Sequence, residues 1–136
     1  MTIRSMTGTI QRAIEEIRNA FPGHTVEAES DGQDGACVRV HDLSIGQQYV
    51  PNVSWVAFRI TFQYPPADIY PHFCVPGLQR ADGKPLGEGI HPGHSWQTPT
   101  KSEPATMLSR RSNRRDCATD TAALKLAKVL DWLKNR

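Results

Sequence analysis

Cysteine is scarce in this chain. Its 136 residues include only Cys37, Cys74 and Cys117, far apart and odd in number. That excludes the disulfide framework of a small secreted domain. Long apolar runs are also missing. Nothing approaches the roughly 18 apolar residues that a membrane span requires. The opening Met1-Thr-Ile-Arg-Ser5 has no apolar stretch resembling a secretory signal. A cytoplasmic location with no membrane association is the expectation. Net charge is only +2, with 22% of residues charged, which excludes strong general attraction to nucleic acid. There is no internal repeat and no low-complexity tract. Length and a hydrophobic content of 38% predict one domain, spanning residues 1–136, around one core.

What is present reads first as a helix. Ile10, Ala13, Ile14, Ile17 and Phe21 recur at helical spacing, with Thr7 or Thr9 as cap and Pro22-Gly23 as stop. The spacing predicts a helix over 8–20. Strand-like pieces follow at 25–30 and 37–43; in the second, Val38 and Val40 alternate with Arg39 and His41. The strongest strand covers 55–62. It puts Val56, Phe58, Ile60 and Phe62 on one face and Trp55, Ala57, Arg59 and Thr61 on the other. Next comes Tyr64-Pro-Pro-Ala-Asp-Ile-Tyr-Pro71, too rich in proline for the middle of a sheet. Phe73-Cys74-Val75 is a short strand candidate. Residues 76–112 read mostly as loop, and so long a loop in a small domain is usually functional or disordered. Leu126, Val129, Leu130 and Leu133 form a closing apolar stripe, predicting a helix over 117–134 capped by Asp116 or Thr119. The expected fold class is α+β: N-terminal helix, antiparallel meander, long loop and C-terminal helix, with the helices on one sheet face.

The chemistry concentrates in Glu88-Gly-Ile-His91-Pro-Gly-His94-Ser-Trp96. Pro92-Gly93 suits the centre of a type II turn, which would bring the two histidines within about 7 Å. Two imidazoles and a carboxylate at this spacing point to a metal site, with Cys74 as fourth ligand. Zinc favours four-coordinate sites of thiolate, imidazole and carboxylate. Four protein ligands would make the site structural and brace the loop. Three, with Cys74 absent, would leave an open position for water and for hydrolysis. No separate general base stands out for that hydrolytic reading. Trp96 could wall the site. The plainer alternative is two polar loop histidines and a solvated Glu88.

Two other groups carry weaker signals. Cys117 sits at a predicted helix N-terminus beside Arg114 and Arg115, features that lower a thiol pKa, while Asp116 opposes them. Cys74 and Cys117 are the candidate nucleophiles; the plainer reading makes both structural. Ser109-Arg-Arg-Ser-Asn-Arg-Arg115 gathers Arg110, Arg111, Arg114 and Arg115. It could grip phosphate or an acidic protein surface. No aromatic residues interleave to stack bases, so protein docking or a solvated basic loop is favoured over nucleic acid.

The proline-rich stretch after the third strand, Phe62-Gln-Tyr-Pro-Pro-Ala-Asp-Ile-Tyr-Pro-His-Phe73, resembles the flap of the ubiquitin-conjugating (UBC-like) fold. Ile90-His91-Pro92-Gly93 faintly resembles the His-Pro-Asn segment preceding that family's active cysteine, but here no cysteine follows His91 before Cys117. Residues 64–96, with Cys74, Glu88, His91 and His94 in order, are more closely similar to the bacterial CEHH family, predicted to bind metal through one Cys, one Glu and two His. The resemblance implies a UBC-like domain with a zinc-braced loop, acting with a ubiquitin-like protein and its activating enzyme in a bacterial conjugation pathway. It leaves open an active conjugating enzyme with a cysteine thioester, and a non-enzymatic adaptor docking through the cluster from Arg110 to Arg115.

Overall fold

Threonine caps set the start of both helices. In α1 (Gly8–Ala20) the Thr7 hydroxyl accepts from the Ile10 N–H at 3.3 Å, and Ile10, Ala13, Ile14 and Ile17 form the buried stripe. In α2 (Ala122–Lys134) the Thr121 hydroxyl accepts from the Leu124 N–H at 3.1 Å. The helix therefore begins later than 117, and neither Asp116 nor Thr119 is its cap. Thr121 has extended backbone and takes the free amide, so the helical run starts after it. At the other end Leu133 C=O accepts from the Tyr49 hydroxyl at 2.9 Å and from the Gln48 amide at 2.9 Å. These relations come from a computed structural model that describes residues 6–112, 116 and 119–136.

The helices cover one face of a six-stranded antiparallel sheet. Its strands are β1 (Val26–Ser30), β2 (Ala36–Ser44), β4 (Val53–Ile60), β5 (His72–Cys74), β7 (Ile90–Gln97) and β8 (Ser102–Leu108), in the order β1-β2-β4-β5-β8-β7. The short β3 (Tyr49–Val50) and β6 (Gln79–Arg80) pair separately. Residues paired directly across antiparallel strands point to the same face, and successive residues to opposite faces. One inward row is Val38, Phe58, His72, Leu108 and Ile90; the next is Val40, Val56, Cys74 and Thr106. All are buried, and the apolar ones among them belong to the core shared with both helices. The alternating outward row is Arg39, Ala57, Phe73, Met107 and His91. Register thus decides which side chains can meet.

The stretch 76–112 is not a loop. It contains β6 and the β7–β8 hairpin, which adds two strands beyond β5. Pro104 is tolerated because β5 pairs only with residues 106–108, so Pro104 lies past its end. The hairpin also folds back across the outward face. The Thr100 hydroxyl donates to both Glu29 carboxylate oxygens, at 3.0 and 2.9 Å, and Lys101 lies 3.8 Å from Glu27. Beneath it Cys37, Ala57, Trp96 and Ala105 form a second small core with Trp55 and Phe73. Phe62 falls beyond the end of β4 and is exposed, so it does not extend the inward row of Val56, Phe58 and Ile60. Among the described residues no helix is long and apolar enough to cross a membrane.

Candidate functional site

His91 and His94 lie within β7 rather than on a free turn. His91 pairs with Met107 and His94 with Ala105, so three steps on β7 match two on β8. The extra residue is a β-bulge, made at Pro92-Gly93 with Gly93 at φ +79°. In a regular strand, residues an odd number apart point to opposite faces. The bulge restores His94 to the outward face that His91 already occupies. The two rings, both on exposed residues, stand 6.3 Å apart between centroids at 65°.

The other two expected ligands are elsewhere. Cys74 pairs with Thr106 on an inward row, one residue out of phase with the row of Phe73, Met107 and His91. The sheet itself therefore separates the Cys74 thiol from the histidine pair. Glu88 is exposed just ahead of β7. Its neighbour Gly89 is pressed against α2, where a Cβ would come within 2.7 Å of the Trp132 ring. Among the described residues, no group of three or more His, Cys, Asp or Glu side chains stands ready to hold a metal ion. The structure brings together His91 and His94 and leaves Cys74 apart. Trp96 packs on Phe73, with ring centroids 5.4 Å apart, in the outward core.

The described cysteines are poorly placed as nucleophiles. Burial pushes the Cys74 thiol up to about 12. Burial, aided by the charges of Asp31 and Glu29, pushes Cys37 up to about 11. Reactive thiols are exposed and shifted the other way. Cys117, Arg114 and Arg115 lie outside the described residues. Arg110 and Arg111 are exposed at the end of the β8 segment.

No protein-family model, curated protein or solved structure matches the chain.

Sequence patterning passed over a buried polar knot beside the core. Lys125, only 3% exposed at its side chain, lies on α2 next to the apolar stripe. Its ammonium donates to Asp68 at 3.2 Å, to Arg110 C=O at 2.7 Å and to the Ser112 hydroxyl at 2.8 Å. Asp68 also accepts from the Ser112 N–H at 2.8 Å. Burial raises the Asp68 carboxyl, but the Ser112 amide and the Lys125 charge outweigh it and hold the group below its ordinary value. Nearby, Tyr64 accepts the Ala122 N–H at 3.2 Å and Tyr70 donates to Ser109 at 3.0 Å. The proline-rich segment is thus latched to the start of α2 and to residues 109–112. An aspartate within that segment was the available signal for Lys125. His72, also buried, has neither ring nitrogen hydrogen-bonded among the described residues. Burial drives its pKa from 6.5 to about 3; Lys125 adds to the shift and Asp68 opposes it.

Proposed function

We propose that this chain is a UBC-like, zinc-binding component of a bacterial ubiquitin-like conjugation pathway, and that it acts by docking rather than by a thioester on Cys74. The supporting observation is the meander β1-β2-β4-β5. It runs in chain order, keeps both helices on its inner face, and joins β4 to β5 through the proline-rich segment. That is the layout the resemblance to conjugating enzymes implies. The buried Cys74 thiol disfavours a thioester at that candidate, while Cys117 lies outside the described residues.

Zinc would enter at His91 and His94, whose imidazoles share one exposed face, with Glu88 as the nearest named carboxylate in sequence. Bound there with Cys74 left out, it would have at most three protein ligands and keep one position open to water. Cys74 would have to leave its inward row to join them. Metal analysis of protein made without an affinity tag should find about one zinc per chain. His91→Ala should lose it and Cys74→Ser should keep it. A metal-free wild type, or loss in Cys74→Ser alone, refutes this assignment. The pathway claim has its own test: mixing the chain with a cognate ubiquitin-like protein, its activating enzyme and ATP. A stable complex without a reducible adduct is expected. An adduct that dithiothreitol releases would replace docking with thioester transfer, and no complex would remove the pathway reading.

A further inference from the structure

A groove of about 490 Å³ runs between residues 110–112 and the C-terminal half of α2. Trp132 forms part of its wall. The Arg136 guanidinium lies 4.9 Å from the Trp132 ring centroid and that of Arg110 lies 5.9 Å from it. Lys128 lines the same groove with its ammonium paired to Asp120 at 3.3 Å, and Arg111 lies alongside, 4.0 Å from the Tyr70 ring centroid. The only carboxylate among the described lining residues is Asp131. Arg110 and Arg136 form no ion pair among the described residues; their fixed contact is the indole. Gly89, at φ +88°, lets the loop before β7 press on that indole, since any Cβ there would collide with it. The ring is held, and the two guanidiniums are positioned on it with no carboxylate on their forks among the described residues.

We propose that this groove docks an extended acidic segment of a partner protein, pairing its carboxylates with Arg110 and Arg136. The proposal goes beyond the conjugation reading and stands without it. Charge complementarity selects the occupant: a cationic groove in a chain whose overall charge is only +2. Nucleic acid fits less well, because the guanidiniums already lie over Trp132 and leave no open aromatic platform for bases.

Fluorescence anisotropy with a short fluorescein-labelled glutamate-rich peptide tests this, against a glutamine-for-glutamate version and a single-stranded oligonucleotide. The wild type should bind the glutamate peptide and not the glutamine one. Arg110→Glu with Arg136→Glu should weaken binding by about tenfold or more. Arg12→Glu with Lys84→Glu makes the same net charge change at exposed sites outside the groove and should alter binding by less than about twofold. Should circular dichroism show the reversal variant misfolded, Arg110→Gln with Arg136→Gln takes its place, with the same loss expected. Equal loss in the control pair, tighter binding of the oligonucleotide, or no binding of the glutamate peptide by wild type overturns the proposal.

Discussion

His72, a buried histidine, links the stability of the fold to pH. Its folded pKa, about 3, lies below the ordinary 6.5, so between these values the unfolded chain binds the extra proton. Its contribution to stability is full above about 6.5 and is lost as pH falls toward about 3. Urea unfolding at about pH 7 and about pH 5 should show wild type losing about 2 kcal/mol relative to His72→Leu over that interval. Identical pH dependence in the two proteins would contradict a neutral buried imidazole. Lys125 makes a second test at this scale. Lys125→Met strands the partly buried Asp68 carboxylate and should cost about 3 kcal/mol by the same assay; a change under about 0.5 kcal/mol would mean the knot holds nothing. Neither residue announces itself in the sequence. A histidine in a short strand looks no different buried or exposed, and a lysine beside an apolar helical stripe reads as solvated.

At the scale of elements, legibility followed regularity. The helix at Gly8–Ala20 was readable because its apolar residues keep one period; the sequence left its cap between Thr7 and Thr9, and the structure selects Thr7. The core of β4 was readable from strict alternation at Val56, Phe58 and Ile60. The β7–β8 hairpin was not. Pro, Ser and Thr recur through it, and the bulge at Pro92-Gly93 breaks the two-residue period by which a strand is recognised. For the candidate site the same bulge cut both ways. The expected type II turn at Pro92-Gly93 is instead a bulge within β7, which also sets the histidine rings 6.3 Å apart, and the inward facing of Cys74 depends on pairing with Thr106, far along the chain. Gly93→Val tests the bulge. A Cβ there meets nothing within 4 Å, so the cost is that of φ +79° alone, about 1–2 kcal/mol by thermal unfolding. Thr121→Ala should cost about 1 kcal/mol through the lost α2 cap. A neutral result at either position would mean that the local backbone is not as described.

For the whole molecule, the sheet carries a core on each side. The larger one joins both helices to the inward rows, and the smaller one lies under the returning hairpin. Trp96→Ala should open that second core, costing about 3–5 kcal/mol and raising the binding of a hydrophobic dye. Val53→Ala, at an exposed position, should stay within about 0.5 kcal/mol. Equal effects would mean that the hairpin is not anchored. The bulge in β7 has a consequence at this scale too. β7 is an outer strand of the sheet, and an outer strand with regular backbone invites a neighbouring chain to add to it, the first step toward fibrils. Here the template is interrupted midway by a kink, a proline without an N–H and two exposed histidines. The irregularity that aligns the imidazoles also spoils this edge of the sheet as a template for a further strand.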